Sequence, residues 1–476
     1  MTRKILQNRM LCSCVLIQVF LTISGNAQQS YRPDWESLKS IPVPSWFDDA
    51  KFGIFIHWGP QAVSESNNLR LDPPEFGYKD VVPLFKAEHW DPDAWAELFR
   101  EAGARYVILT GEHHDGYALW ASQLTKWCAT KIGPKRDLVG ELARACRARG
   151  LRFAPSYHRE RHNSFFATAR TRFLVDARPR PEIAQEIARM PEAASLYGPF
   201  MISDAYISDY VARWQEMQRK YEPDFMWIDD IPLYYHPDAD HPQAQKFNEA
   251  LKGMIADYFN DAAARGQEVY LNNKGRRQPN WPLGVGCRSW DRSQFDEIGP
   301  KFQCPMTMGH SWYYRKDEDR TDSYKSTAEL IHMLVDIVSK NGNLLLNIGP
   351  RADGTIPAGQ RRRLLEIGEW LARNGQAIYG TRPWKTHGEG DVRFTAKGCV
   401  LYAIFLKEPS SGCTVPSTKG WQASDVKTVT LLGNDELARS VDRDGLRIRM
   451  SRNPKGKHAF VVRIECSKQV CDLPAF

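Results

Sequence analysis

The sequence of 476 residues lacks several features that would assign it to a common functional class. It has ten cysteines but no CxxC pair, so the closely spaced thiolates of a structural zinc cage are missing. Lysine and arginine (64) only slightly outnumber aspartate and glutamate (57), and no basic stripe is present, which argues against nucleic acid as a partner. No internal repeat or low-complexity tract is found either. These absences favour an ordinary globular protein.

One apolar run, at the N-terminus, is followed by a candidate cleavage site. Arg3, Lys4 and Arg9 precede an apolar run over 10–23, and small residues follow at 24–27. This order of charge, apolar run and small residues is that of a secretory signal peptide. The run is shorter than the ~20 residues that cross a bilayer, so an N-terminal membrane anchor is the less favoured alternative. We therefore predict cleavage near Ala27 and a secreted or periplasmic protein without a membrane partner.

Eight of the ten cysteines lie beyond the predicted signal peptide. An exported protein meets an oxidising compartment, in which cysteines can pair. We therefore expect one or two disulfides, with the close pair Cys466 and Cys471 as the first candidate. The sequence alone does not fix their connectivity.

Strand-like and helix-like segments alternate over most of the chain. Apolar runs typical of buried parallel strands lie at 52–57, 106–113, 152–157, 224–229, 268–272 and 343–348. Amphipathic helical patterns lie between them, at 91–102, 137–149, 204–221, 243–264 and 323–340. This alternation predicts an α/β fold, a (β/α)8-like TIM barrel. The segment 159–199 is irregular and is predicted to be a loop insertion over the barrel rim.

The pattern changes near Pro383. Short apolar runs at 400–406, 426–432 and 459–464 alternate with turns rich in Gly, Ser, Asn and Asp. Such runs are typical of a small antiparallel β-sandwich. The predicted organisation is a signal peptide over 1–27, a catalytic barrel over 28–383 and a C-terminal β-sandwich over 384–476.

Ionisable residues stand at the carboxyl ends of three predicted strands, where a barrel carries its active site. His57 follows the first strand, His113 and His114 the second, and Asp229 the fourth. One reaction that such a rim can carry is glycoside hydrolysis, which usually needs a pair of carboxyl groups flanking the scissile bond. Asp229 closes a buried strand and is the natural attacking carboxylate, with a helix N-cap or an ion pair as the structural alternatives.

The three histidines have more than one interpretation. Imidazole both donates and accepts hydrogen bonds, so His57, His113 and His114 can bind sugar hydroxyls. Histidine together with aspartate is also typical of metal sites. Neighbouring side chains on a strand point to opposite faces, however, so His113 and His114 would need a further ligand from elsewhere. A buried core histidine is the third interpretation for each of them.

Four segments in sequence order resemble glycoside hydrolase family 29, the α-L-fucosidases. They are WFDDAKFGIFIHWG (46–59), HHDGYALW (113–120), KRDLV (135–139) and VSKNGNLLLNIGP (338–350), and the resemblance continues to Trp384. It implies a retaining double displacement on a carbohydrate substrate, with Asp229 as the nucleophile and neither a metal nor a cofactor. The positions that it assigns to substrate binding are His57, Trp58, His113, His114, Tyr157, Trp227, Lys274 and Trp312.

The chain departs from the family pattern where the acid/base is expected. Many members have Trp-Glu where this chain has Phe302 and Gln303, and an amide cannot donate a proton as an acid. Asp291 occupies the nearest equivalent of the acid/base position, with Asp296 and Glu297 as alternatives. Aspartate is one methylene shorter than glutamate, and proton transfer needs hydrogen-bond distance. An ion pair with Arg292 is the structural alternative for Asp291.

Two further departures concern the substrate. Asn273 and Lys274 replace the usual Asp-Arg, and the sugar-binding triplet Glu-Trp-Tyr is missing, with Glu65 or Glu75 as candidate substitutes. The sequence therefore leaves open an α-L-galactosidase-type relative, since L-galactose has the stereochemistry of fucose with one more hydroxyl. It also leaves open a sugar-binding homologue with impaired catalysis and, as the least favoured reading, a metal-dependent hydrolase.

Overall fold

The computed structural model describes residues 30–64, 77–168, 177–229, 240–275, 280–293, 295–434, 436–450 and 456–473. The predicted signal peptide, Glu65 and Glu75 lie outside these residues. Within the described part of the chain, every helix is too short or too polar to cross a lipid bilayer.

Eight parallel strands form a closed barrel in sequence order, with β8 pairing back onto β1. This confirms the predicted TIM barrel. The strands are β1 (Phe52–Ile56), β2 (Tyr106–Glu112), β3 (Arg152–Tyr157), β4 (Phe225–Ile228), β5 (Tyr270–Lys274), β6 (Cys287–Ser289), β7 (Phe302–Thr307) and β8 (Gly342–Ile348).

Thirteen α-helices are found in the described residues, most of them around the barrel. They are α1 (Trp35–Lys39), α2 (Ser45–Ala50), α3 (Tyr78–Val81), α4 (Pro92–Glu101), α5 (Leu138–Ala148), α6 (His162–Phe165), α7 (Pro181–Arg189), α8 (Ala194–Tyr197), α9 (Asp204–Tyr221), α10 (Pro242–Ala264), α11 (Lys316–Thr321), α12 (Thr327–Ser339) and α13 (Ala358–Asn374). Their starts follow local chemistry. Asp91 caps α4 ahead of a proline at its first position, and Ser326 with Glu329 forms a capping box at α12.

Two strands and the segment 159–199 show how the structure differs from the sequence prediction. The sequence pattern did not reveal β6 and β7, because Arg288 interrupts the first and Gln303 and Pro305 interrupt the second. The prediction of an irregular insertion over 159–199 was wrong in part, since the segment contains α6, α7 and α8. Ile183 of α7 is fully buried and belongs to the main apolar core, so α7 packs against that core.

The C-terminal region consists of two antiparallel sheets, as predicted. The five-stranded sheet has the order β13-β16-β11-β10-β9 and the three-stranded sheet the order β12-β15-β14. The strands are β9 (Arg382–Glu389), β10 (Val392–Lys397), β11 (Val400–Phe405), β12 (Gly412–Val415), β13 (Val426–Leu431), β14 (Ala438–Asp442), β15 (Gly445–Arg449) and β16 (Phe460–Cys466). Their inner faces share a separate apolar core that includes Trp384, Phe394 and Trp421. The residue at the predicted domain boundary, Pro383, lies inside β9.

The expected disulfides are not formed, and this prediction was wrong. All eight cysteines beyond residue 29 have free thiols. Cys466 is buried in β16, and its Sγ lies 3.9 Å from the carbonyl oxygen of Ile464. Cys471 is exposed in the turn that follows, so the two side chains occupy different environments.

Candidate active site

Asp229 directly follows β4 at the carboxyl end of the barrel, and hydrogen bonds hold its backbone on both sides. Its N–H donates to the carbonyl oxygen of Tyr157 (3.2 Å), and its own carbonyl oxygen accepts from the Asn280 side chain (2.9 Å). The carboxylate is buried, with 7% of the side chain exposed. The backbone that carries this carboxylate is therefore held at the barrel rim by neighbouring elements.

Three cationic or imidazole groups surround the Asp229 carboxylate. Lys274, the last residue of β5, forms an ion pair with Oδ1. His114 Nε2 lies 3.2 Å from Oδ2, and His158 Nδ1 lies 3.9 Å from the same oxygen. A positive neighbour favours the ionised carboxylate, which is the form that can act as a nucleophile.

Lys274 also connects Asp229 to a second carboxylate. Its Nζ lies 2.9 Å from Asp291 Oδ2, so a single buried ammonium contacts both acidic side chains. Burial lowers the pKa of Lys274, and the negative charge of Asp291 opposes that shift. Asp291 is more accessible than Asp229, with 35% of its side chain exposed. The structure thus brings together the two carboxyl groups proposed from sequence.

The other acid/base candidates lie outside this group. Asp296 and Glu297 are both exposed, and the charge of Glu297 acts on His387 of β9, a residue of the C-terminal region. The guanidinium of Arg292 lies over the ring of Trp312, 5.0 Å from its centroid. Asp291 is therefore the candidate that the structure places beside Lys274 and Asp229.

Four imidazoles line the same end of the barrel. The ring centroid of His113 lies 4.3 Å from that of His114, 5.1 Å from that of His158 and 6.0 Å from that of His57. Sequence reasoning missed His158, although it follows Tyr157 at the end of β3. At a strand end, one of two consecutive residues faces the barrel axis, and this parity is the signal that could have identified it.

The expectation that His113 and His114 point to opposite faces was wrong. Strand β2 ends at Glu112, so the two histidines lie in the turn beyond it, where the alternation of a strand no longer holds. His114 Nδ1 lies 2.5 Å from the carbonyl oxygen of His158 and donates to it. A proton on Nε2, facing Asp229, is then present only in the imidazolium form.

Two aromatic residues assigned to the pocket from sequence point away from it. Trp58 packs among other aromatic rings of the core, and its Nε1 donates to the carbonyl oxygen of Arg351 (2.8 Å). The Tyr157 hydroxyl donates to the carbonyl oxygen of Tyr210 in α9 (2.9 Å). Both side chains are on the helix side of the barrel, so the structure contradicts their assignment to substrate binding.

Two other aromatic residues do line the cluster. Trp227 lies 5.1 Å from the ring of His158, and Lys274 Nζ lies 5.0 Å from the Trp227 ring centroid. Trp312 packs against His57 at 5.0 Å. Gln303, which replaces the family's glutamate, accepts a hydrogen bond from Trp227 Nε1 (2.9 Å). The glutamine amide therefore orients a pocket wall and is not acidic enough to act as a general acid.

Two buried side-chain amides each contact the Nδ1 atom of a histidine in the cluster, one at His57 and the other at His113. Asn347 Oδ1 lies 2.6 Å from His57 Nδ1, and Gln61 Nε2 lies 2.9 Å from His113 Nδ1. Burial lowers the pKa of His57 to about 4, so this ring is neutral at neutral pH. Burial raises the pKa of Asp115, the other partner of Gln61, to about 6.

The described residues include two groups that could hold a metal ion. His57, His113 and His158 form one, and His114, His158 and Asp229 form the other, each with ligand atoms within 4.8 Å of one another. His158 is the additional ligand that the sequence had not supplied. In the second group, however, Asp229 is already neutralised by Lys274. In the first, the amide nitrogen of Gln61 faces one ring nitrogen of His113.

Comparisons with known proteins identify the family of the chain. The family model described as alpha-L-fucosidase matches residues 18–376. Tissue alpha-L-fucosidase of Bos taurus is 32% identical over 90% of this chain and 86% of its own, and plasma alpha-L-fucosidase of Homo sapiens is 35% identical over 80% of each. The crystal structures of Thermotoga maritima alpha-fucosidase with fucose and with a mechanism-based inhibitor are each 33% identical, with TM-scores of 0.71 and 0.72, and cover 91% of this chain and all of the matched chain. The chain therefore belongs to the α-L-fucosidase family of glycoside hydrolases.

Proposed function

We propose that this protein is a retaining, exo-acting α-L-fucosidase that removes terminal fucose from glycans, with Asp229 as its nucleophile. The observation that carries the proposal is the buried Asp229 carboxylate at the barrel rim, joined through Lys274 to the more accessible Asp291. A retaining glycosidase needs this division of labour, with one carboxylate to attack and another to exchange protons with the leaving group and water.

In the first step, Asp229 Oδ attacks the anomeric carbon of the fucosyl residue and the glycosidic bond breaks. For this step Asp291 is protonated, so that Lys274 keeps its ion pair with Asp229, and the Asp291 proton passes to the departing oxygen. The aglycone then leaves as an alcohol. The side chain of Asp291 reaches solvent, which suits an acid that contacts the aglycone. Lys274 keeps Asp229 ionised and oriented until the sugar arrives.

In the second step, water attacks the glycosyl–enzyme ester. Asp291, now a carboxylate, accepts a proton from that water, and Asp229 leaves as a free carboxylate. Two inversions at the anomeric carbon give retention of configuration. Because Lys274 contacts both carboxylates, it can follow the negative charge from one to the other as the reaction proceeds.

The imidazole cluster is proposed to bind the sugar hydroxyls. His57, His113 and His114 carry the roles expected from sequence, His158 joins them, and Trp227 and Trp312 supply aromatic walls. The related Thermotoga maritima enzyme has been crystallised in complex with fucose, which supports fucose as the bound sugar. We also propose that the chain is exported after cleavage near Ala27.

The first test is hydrolysis of a chromogenic aryl α-L-fucoside, alongside the matching α-L-galactoside. We expect turnover of the fucoside and its loss in Asp229→Ala, with Glu297→Gln as the matched control that retains activity. Faster turnover of the galactoside would reassign the sugar. No turnover of either, together with tight binding of a fucose-like iminosugar, would favour a sugar-binding homologue. Normal activity in Asp229→Ala would contradict the assignment of the nucleophile.

A further inference from the structure

The hydrogen-bonding state of two pocket histidines can be derived from their buried partners. A neutral imidazole has one nitrogen that donates and one that accepts, and the partner of either nitrogen decides which is which. His57 and His113 are neighbours in the cluster, with ring centroids 6.0 Å apart. Each has its Nδ1 in contact with a side-chain amide, which leaves Nε2 as the second nitrogen.

The amide of Asn347 has only one orientation. Its Nδ2 donates to the backbone carbonyl oxygen of Trp312 at 2.7 Å, so Oδ1 must be the atom 2.6 Å from His57 Nδ1. An amide oxygen only accepts hydrogen bonds. His57 therefore carries its proton on Nδ1, and its Nε2 presents a lone pair.

The amide of Gln61 is fixed in the same way but with the opposite result. Its Nε2 lies 3.1 Å from Asp115 Oδ2, which also accepts from the Tyr78 hydroxyl at 2.5 Å. An ionised carboxylate only accepts, so the nitrogen of the amide faces it. The second hydrogen of that nitrogen points at His113 Nδ1, 2.9 Å away. His113 Nδ1 therefore holds a lone pair, and the proton is on Nε2.

We propose that Gln61 and Asn347 are positioning residues that fix opposite tautomers of His113 and His57. His57 Nε2 then accepts a hydrogen bond from a sugar hydroxyl, and His113 Nε2 donates one. This consequence for the sugar rests on the proposed function, whereas the tautomers themselves do not. A pair of opposite polarity accepts only a group that both donates and accepts, such as a hydroxyl. Replacing the bound hydroxyl by fluorine removes the donor to His57 and leaves a buried lone pair unpaired.

Neutron diffraction from a crystal of the perdeuterated mature protein at neutral pH tests the tautomers directly. We expect deuterium on Nδ1 of His57 and on Nε2 of His113. The same tautomer in both rings, or the reverse pair, would overturn the proposal. The measurement needs no variant and no substrate, so its outcome does not depend on whether the protein hydrolyses fucosides.

Kinetics of Gln61→Met test the positioning role. Methionine keeps the length of the side chain but cannot donate to His113, so we expect KM for an aryl α-L-fucoside to rise about tenfold, with a smaller change in kcat. The control is Gln218→Met, which removes a buried glutamine of α9 that accepts from Trp214 and donates to Asp257 and Asp261. KM unchanged in Gln61→Met, in a protein that unfolds at the normal temperature, would overturn the positioning role. If the neutron result holds while the wild type hydrolyses no fucoside, the tautomers stand and the proposed function fails.

Discussion

Two buried lysines lie at opposite ends of the same barrel, and each is close to an aspartate. Lys274 ends β5 at the carboxyl end, where it contacts Asp229 and Asp291. Lys51 precedes β1 at the amino end, where its Nζ lies 3.7 Å from Asp48 Oδ1. That oxygen also contacts Lys301 at 3.0 Å. At the upper, carboxyl end one cation thus contacts two carboxylates. At the lower, amino end two lysines contact one carboxylate.

The two environments have different consequences for the charge. Burial lowers the pKa of Lys51 to about 6, and the positive charge of Lys301 adds to the effect while Asp48 opposes it. Burial also lowers the pKa of Lys274, but Asp291 favours its charged form. A buried lysine is therefore not by itself a sign of function. What distinguishes the upper end is that two carboxylates converge on the ammonium at the rim where parallel strands present catalytic groups.

After loss of the nucleophile itself, the largest effect is expected from Asp291→Ala. Loss of a general acid costs about 10²–10⁴-fold in rate when the leaving group is poor. We therefore expect such a loss on natural glycans and a much smaller one on aryl fucosides, whose leaving group needs little protonation. Comparison of kcat/KM for the two substrates measures the difference. Equal losses on both would move the acid/base role away from Asp291.

A smaller effect on activity is expected from Lys274→Met. A carboxylate that has lost its cation is protonated more readily, so the acidic limb of the pH–rate profile should move to higher pH. We expect kcat/KM at neutral pH to fall about tenfold, the cost of one charge-assisted hydrogen bond. Lys51→Met is the matched control, and its kcat/KM and pH profile should equal those of the wild type. Equal pH–rate profiles for the wild type and both variants would contradict a different role for the two lysines.

Lys51→Met should instead change stability. Between its folded pKa of about 6 and the ordinary 10.5, Lys51 binds fewer protons in the folded chain than in the unfolded chain. Wild-type stability at this site therefore rises with pH across that window, and the penalty is larger at pH 7 than at pH 10. Asp48 keeps Lys301 and Arg382 as partners, so we expect methionine to raise the free energy of unfolding at pH 7 and to raise it less at pH 10. Denaturant unfolding at several pH values measures this, and a destabilised variant would contradict it.

The smallest effect is expected from Asp296→Asn and Glu297→Gln. Both side chains are exposed and lie outside the group around Lys274. We expect kcat/KM within about twofold of the wild type on natural and aryl substrates, as is usual for surface substitutions. A loss confined to natural glycans in either variant would identify that residue as the acid/base in place of Asp291.

The contrast also shows what sequence can predict. Asp229 and His57 could be predicted as site residues because each follows an apolar run that ends at the catalytic rim. Trp58 and Tyr157 were assigned wrongly because a motif does not say which of two consecutive side chains faces the axis. Lys274, which joins Asp229 to Asp291, lies on a different strand from Asp229, so this bridge becomes visible only in three dimensions.

The residues behind the pocket were beyond sequence reasoning for a similar reason. Gln61 lies in a short turn after β1, and Asn347 lies in an apolar strand, where an amide has no pattern of its own. Their roles depend on the atoms opposite them, the carboxylate of Asp115 and the carbonyl oxygen of Trp312. Hydrogen-bond partners distant in sequence decide the chemistry of such residues.

Trapping the covalent intermediate tests the assignment of Asp229 as the nucleophile most directly. The mature protein would be incubated with a 2-fluoro-fucosyl fluoride, and the intact mass and the labelled peptide would be determined by mass spectrometry. Fluorine at C2 slows both steps because both pass through an oxocarbenium-like transition state, whereas the fluoride leaving group speeds only the first. The ester therefore accumulates in a retaining enzyme. We expect one added 2-fluoro-fucosyl group, carried by Asp229. A label on another carboxylate, or steady turnover of the fluoride with inversion of configuration, would contradict it.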